Sequence, residues 1–287
     1  MVTSSLKNIG RMVVAVLTVS LALGVIAAAA WGSTIDNPGW RACEEREGTG
    51  AKFKDAACSE ALSEGHFEEL PFEKAEESRA LFWEAGGTEK LDLSHGAVVA
   101  CKELGVGKGS EVIGGQPGKT ELTLEYGGCE VEGHPKCAID GREGGKAGIT
   151  TNALDAELVY LSEKAAETHN AEDTGTLFKP ATGEVLVTVD LEGECGELKG
   201  EYPLAGQVVA ENVEGTKRAR HHLIRAPEKP IGTYWINDAE GPVEHHVKLT
   251  SGGAEAIIIL EGVALILPWG SGPTTHSFCW IIIFSSE

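Results

Sequence analysis

A hydrophobic period of two dominates the chain after residue 90 and constrains its fold more than any other feature. In 154–160, Leu154, Ala156, Leu158 and Tyr160 lie on one side of an extended segment, which makes that face apolar. Short stretches rich in Gly, Pro, Asn and Asp separate such segments and favour turns. The pattern predicts an all-β fold, an antiparallel sandwich or barrel. Alternating segments are 121–126, 154–160, 184–190 and 243–250, and continuous apolar runs that predict strands buried on both faces are 98–100, 256–260, 263–267 and 278–284.

One segment near the start carries the features of a helix. Pro71 suits a first helical turn, acidic residues follow it, and two glycines would end it. We therefore expect one short N-terminal helix over Phe72 to Ala85. The predicted organisation is an irregular and partly helical segment over 31–90, which contains a disulfide, and a β-rich domain over 91–287. A subdivision of that domain could fall near residue 215.

The first 30 residues differ from the rest of the chain and predict export. Lys7 and Arg11 precede an apolar run over residues 12–30 that ends in four alanines. A positive start, an apolar middle and small final residues are typical of a secretory signal peptide, with cleavage after Ala30 and Trp31 as the first mature residue. The alternative is an uncleaved anchor, because the run is about as long as the ~20 apolar residues that span a bilayer. Both interpretations predict a secreted or cell-surface protein.

The charge of the chain argues against one class of partner. There are 24 basic and 44 acidic residues, which give a net charge of −20. A surface with this many acidic groups repels phosphate backbones, and we therefore expect no binding to nucleic acid. The acidic residues show no ordered spacing such as that of an EF-hand, so no metal or other cofactor is predicted. Contact with a membrane is expected only through residues 12–30, if they are retained.

Seven cysteines follow the predicted signal peptide, and an oxidising compartment favours their pairing. Cys43 and Cys58 bracket a turn rich in Gly and Lys, and Cys129 and Cys137 bracket a second short loop, so these are the two predicted bridges. Because seven is odd, at least one thiol is free or bonds another chain. No pair has the CxxC spacing of zinc ribbons or thioredoxin-like centres. The other three are Cys101, Cys195 and Cys279.

Trp235 and His246 are the candidates for binding at the surface. Trp235 with Tyr234, Trp269 and Trp280 could form a platform on which sugars stack. The alternative is burial in the core, which is the commoner fate of aromatic residues on strands.

Adjacent histidines occur at 221–222 and 245–246. Neighbouring side chains on a strand point to opposite faces, so each pair offers one ligand to a metal site. His245 is predicted on the apolar face, and His246 on the charged face with Glu244. One histidine from each pair could bind a metal with Glu244 only if the two strands adjoin. The alternative is one packed and one solvated histidine.

Four segments with turns and cysteines stand out along the chain: GTGAKFKDAAC at 48–58, YGGC at 126–129, GITTNALDAEL at 148–158 and FKP at 178–180. Together with Cys137, these segments resemble a paralogous group of uncharacterised, secreted β-rich proteins of actinobacteria. The resemblance would cover most of residues 43–210. It implies a secreted β-rich fold, and it supplies neither an activity nor a functional residue.

No motif of a known catalytic centre occurs in the chain. Ser271 lacks the GxSxG frame of a hydrolase elbow, and there is no HExxH. The sequence therefore predicts a secreted or cell-surface β domain that is non-enzymatic. Two alternatives stay open. A carbohydrate-binding module would need coplanar exposed aromatics, and an extracellular hydrolase would need a cleft with a carboxylate pair or a perturbed histidine.

Overall fold

Antiparallel strands form most of the described structure, and this confirms the all-β fold predicted from the sequence. The computed structural model describes residues 37–46, 52–54, 62, 64–72, 78–85, 88–143, 145–170, 173–212, 221–226 and 230–266. These residues belong to one compact unit that begins at Asp36. None of the helices within them has the length and apolar character needed to cross a membrane.

The described residues form 22 strands and one α-helix. In chain order they are β1 (Arg41–Glu45), β2 (Phe67–Pro71), β3 (Ser78–Ala85), β4 (Glu89–Asp92), β5 (Val98–Cys101), β6 (Glu103–Val106), β7 (Glu111–Ile113), β8 (Lys119–Leu122), β9 (Leu124–Val131), β10 (Cys137–Ile139), β11 (Ala147–Thr150), β12 (Leu154–Tyr160), α1 (Glu163–Thr168), β13 (Thr174–Pro180), β14 (Val185–Gly193), β15 (Gly200–Gly206), β16 (Val208–Asn212), β17 (His221–Ala226), β18 (Thr233–Asn237), β19 (Pro242–His246), β20 (Leu249–Ser251), β21 (Ala254–Glu255) and β22 (Ile257–Ile266). A short 3-10 helix, Gly196–Leu198, joins β14 to β15.

The strands lie in three sheets within this part of the chain. β1 and β2 form a small one, and β10-β14-β15-β20-β21 form a five-stranded one. The large sheet has the order β11-β9-β5-β4-β22-β17-β16-β13-β12-β8-β7-β3, with β6 and the β18–β19 hairpin attached at the side. β22 also pairs with β3, which pairs with β7 through residues 78–80 and with β22 through residues 81–85. The sheets share one apolar core, as the layers of a β sandwich do.

The helix predicted over Phe72 to Ala85 is wrong for its second half, because Ser78–Ala85 is strand β3. This segment pairs with β7 at one end and with β22 at the other. Arg79 and Leu81 are buried while Ala80 is exposed, which is the alternation of a strand. Pairing with strands distant in sequence therefore overrides the local helix signals. The α-helix of the described structure is α1, whose N-cap Ser162 accepts a hydrogen bond from the Ala165 amide.

Two disulfides lie in the core, and their partners differ from the prediction. Cys101 of β5 is bonded to Cys129 of β9, and Cys137 of β10 is bonded to Cys195. The predicted bridge between Cys129 and Cys137 is therefore wrong. The pairing of β5 with β9 sets Cys129 across from Cys101, with 4.0 Å between their Cα atoms.

The predicted bridge between Cys43 and Cys58 stays a prediction. Cys43 belongs to β1, whereas Cys58 lies outside the described residues. Cys279 also lies outside them.

Candidate functional site: an apolar cleft between β16 and β22

Strand β17 lies between β16 and β22 but separates them over only part of their length. It pairs with β22 along its whole length and with β16 only at Glu211 and Asn212. β17 ends at Ala226, and the next residue in the sequence is a proline, which has no N–H to donate to a neighbouring strand.

An apolar cleft of about 350 Å³ opens at this position. Val208 and Val209 of β16 form one wall, and Ile257 and Ile258 of β22 form another. The volume lies in the range of roughly 300–1,000 Å³ that is usual for small-molecule sites. The remaining described wall consists of two segments that flank the β18–β19 hairpin, residues 230–232 and 247–249, and of Gln207, Glu255 and Ala256.

The cleft continues an apolar layer that lies under the β18–β19 hairpin. Tyr234 of this hairpin packs with Val159, Leu177 and Val209, which lie on β12, β13 and β16. Beside the hairpin, partly buried apolar residues extend this layer to the cleft. The hairpin therefore shapes one side of the cleft. The described residues that belong to both the layer and the cleft lining are Val209, Ile231 and Val247.

Buried amides hold the other end of the hairpin. The Nδ2 group of Asn37 donates a hydrogen bond to the carbonyl of Asn237 at 3.0 Å, and the Asn237 amide donates one to Asn37 Oδ1 at 2.8 Å. The Nδ2 group of Asn237 also donates to the carbonyl of Ala166 in α1 at 2.9 Å. Asn37 and Asn237 are both buried. These bonds tie the hairpin to the N-terminal segment and to α1.

Charged groups lie only at the mouth of the described lining. Lys248 and Glu255 are exposed, and neither forms an ion pair with another described residue. The backbone amide of Gln207 donates to the carbonyl of Lys248 at 3.0 Å. The lining is therefore apolar inside and polar at the rim, the usual arrangement for a site that takes an apolar ligand.

The two residues predicted for surface binding lie on the hairpin and outside the cleft lining. Trp235 is half-buried and packs against Tyr160 and the alanines of α1. His246 is exposed and pairs with Thr233. Tyr234 is buried. Neither Tyr234 nor Trp235 is therefore exposed as the predicted sugar platform requires. The other two residues of that platform, Trp269 and Trp280, lie outside the described residues.

The histidines do not meet the condition that the metal hypothesis required. The strands that carry the two pairs, β17 and β19, are not neighbours, because β19 pairs only with β18 in the described sheets. His245 stacks on Tyr234, with 5.0 Å between ring centroids, but remains exposed like His246. Within the described residues no group of three or more His, Cys, Asp or Glu side chains could hold a metal ion.

The cleft was missed in the sequence, although a signal for it exists. Pro227 and Pro230 follow β17 closely and indicate that the strand cannot continue in the interior of a sheet. Comparison with protein-family models, curated proteins and solved structures finds no match to this chain.

Proposed function

We propose that this protein is an exported, non-enzymatic β domain that binds an apolar ligand in the cleft between β16 and β22. The observation that carries the proposal is a cleft of about 350 Å³ that Val and Ile residues of β16 and β22 line, with charge only at the mouth of its described lining. At about 30 Å³ each, such a volume holds roughly ten groups the size of a methylene. Burial of ten methylenes would contribute about 8 kcal/mol before the cost of association.

Export is supported by three observations. The first 30 residues have the pattern of a signal peptide. The described core contains two disulfides, and disulfides persist mainly in oxidising compartments. The segments that resemble secreted actinobacterial proteins agree with that compartment, and we propose that the chain is related to that group.

The lining supports binding over the two alternatives. Its described charges, Lys248 and Glu255, are exposed at the rim, whereas a hydrolase needs acid and base groups positioned at the reacting atoms. A carbohydrate-binding module stacks sugars on exposed aromatic rings, whereas Tyr234 is buried and Trp235 packs on α1. A cleft with Val and Ile walls favours a ligand that is itself apolar.

Gly232 offers a direct test of this proposal. It lines the cleft, and a Cβ added there would meet no atom of the described residues within 4 Å. Gly232→Phe therefore adds an aromatic side chain at the cleft, and its Cβ clashes with no described atom. Gly105 on β6 is the matched control, because a Cβ there also meets no atom of the described part of the chain within 4 Å and the residue lies outside the cleft lining.

The experiment measures the fluorescence of N-phenylnaphthylamine, a neutral apolar dye, on titration with the mature protein. We expect saturable binding at one site, which Gly232→Phe weakens at least about tenfold, or about 1.4 kcal/mol, and Gly105→Phe leaves unchanged. Absence of saturable binding, or an equal loss in both variants, would contradict the proposal.

A further inference from the structure

We infer that the ligand of this cleft is an amphiphile with one apolar chain and a zwitterionic head group, which binds between Lys248 and Glu255 at the mouth. Both residues belong to the cleft lining. The inference rests on the proposed function, because it names the ligand class of the same site. The chain lies in the apolar interior, and the two charges of the head group pair with the two residues at the mouth.

The described residues at the mouth are exposed to solvent. Pro230, Gly232, Lys248 and Glu255 all line the cleft, and each of them is exposed. The valines that β16 contributes to the same lining are buried. The lining therefore changes from exposed and polar to buried and apolar, which suits a ligand with a hydrated head group and an apolar chain.

The register of β20 with β21 places Lys248 and Glu255 on one face of this hairpin. Thr250 lies opposite Glu255, and the Ala256 amide donates to the carbonyl of Leu249 at 3.1 Å. Lys248 precedes Thr250 by two residues, so it is the diagonal neighbour of Glu255, at about 7 Å between Cβ atoms. The two charges are therefore close enough for one head group to reach both.

The two charges at the mouth have opposite signs but do not neutralise each other. Lys248 and Glu255 form no ion pair with each other or with another described residue. An anionic amphiphile would meet the carboxylate and the net charge of −20, and a cationic one would bring a like charge to the lysine. A zwitterion pairs with both residues. Exposed ion pairs are weak, so each contact should add at most about fivefold to the affinity.

The volume and the composition of the lining define the ligand further. About 350 Å³ holds roughly ten methylenes, which is one short chain, whereas a lipid with two such chains needs about twice that volume. The described lining contains no aromatic ring, and aromatic rings are the usual partners of quaternary ammonium groups. A primary ammonium instead donates charge-assisted hydrogen bonds to a carboxylate such as that of Glu255. The head group is therefore an acidic group joined to a primary ammonium.

The test compares four amphiphiles that share a chain of about ten carbons and differ in the head group. Decylphosphoethanolamine is zwitterionic, decanoate is anionic, decylamine is cationic, and tetraethylene glycol decyl ether is uncharged. Displacement of N-phenylnaphthylamine from the mature protein gives the four affinities, below the critical micelle concentrations and at about 0.15 M salt, which screens the long-range field of the net charge.

The variants remove one charge each. Lys248→Met and Glu255→Gln act at the mouth, and Lys108→Met and Glu125→Gln are the matched controls, because both are exposed and lie outside the cleft lining. We expect decylphosphoethanolamine to bind the parent at least threefold more tightly than each other amphiphile. Lys248→Met should weaken the zwitterion and decanoate by about three- to fivefold but not decylamine. Glu255→Gln should weaken the zwitterion and decylamine by a similar factor but not decanoate.

Several results would overturn the zwitterionic ligand. One is a zwitterion that binds no more tightly than the uncharged ether, decanoate or decylamine, and another is an equal effect of the mouth and control variants. Co-sedimentation of the protein with phosphatidylcholine vesicles would place it on a membrane surface and overturn the single-chain ligand. In each case dye binding that Gly232→Phe weakens would leave the proposed function standing. If neither the dye nor any amphiphile binds, both the proposed function and this inference fail.

Discussion

Removal of the Cys137–Cys195 disulfide should cost more stability than removal of Cys101–Cys129. The sequence separations are 58 and 28 residues. In the chain-entropy model these loops contribute about 4.2 and about 3.6 kcal/mol at 25 °C, because the longer loop restricts the unfolded chain more. Domains are stable by only about 5–15 kcal/mol in total, so either loss is a large fraction of the free energy of unfolding.

The two double variants Cys137→Ala/Cys195→Ala and Cys101→Ala/Cys129→Ala test this, and each serves as a control for the other. Urea denaturation of the purified mature chain gives the free energy of unfolding and the m-value. We expect a loss of about 4.2 kcal/mol in the Cys137/Cys195 variant and of about 3.6 kcal/mol in the Cys101/Cys129 variant. Both should show a larger m-value, because the unfolded chain exposes more surface without the bridge.

Two results would refute this reasoning. A loss below about 1 kcal/mol in both variants would show that the bridges do not restrict the unfolded chain as the loop lengths require. A non-reducing peptide map of the parent protein that joins Cys129 to Cys137 would overturn the connectivity itself. Equal losses with an unchanged m-value would instead place the effect in the packing of the folded core.

Three further substitutions test separate parts of the structure. Burial and the Glu89 carboxylate raise the pKa of Tyr126 above its usual value of about 10. The free energy of unfolding should therefore fall as the pH rises above about 10, by up to about 1.4 kcal/mol per pH unit. Urea denaturation between about pH 9 and 11 should show a smaller fall for Tyr126→Phe. Asn37→Ala leaves the Asn237 amide and carbonyl without these partners, so we expect a loss of about 2–4 kcal/mol, and faster hydrogen exchange at Asn237 checks it. Gly118→Ala would set a Cβ 2.6 Å from Trp40 Cδ1, so thermal unfolding should show a loss of stability of about 1–3 kcal/mol. As a control, Gly105→Ala should change stability by less than about 0.5 kcal/mol, because a Cβ there meets no described atom within 4 Å.

The alternation of apolar residues predicted strands well where one face is buried along the whole segment. The segment 154–160 is strand β12 with the same ends, and the apolar run at 98–100 lies in β5. The alternating segment 243–250 is instead two strands, β19 and β20. The chain leaves the hairpin beside the large sheet there and joins the five-stranded sheet. The period of two tells which residues share a face, but the sheet to which a strand belongs depends on partners far away in the chain.

The sequence by itself determined the all-β class, most strand positions and the acidic charge, because these depend on local periodicity and composition. Only the tertiary structure decided that Ser78–Ala85 is a strand and that Cys129 bonds to Cys101. It alone also shows the cleft, whose described lining comes from β16, β22 and the segments that flank the β18–β19 hairpin. These features depend on contacts between residues far apart in sequence. Pairing energy across a sheet outweighs the weak local preferences that can be seen along the chain.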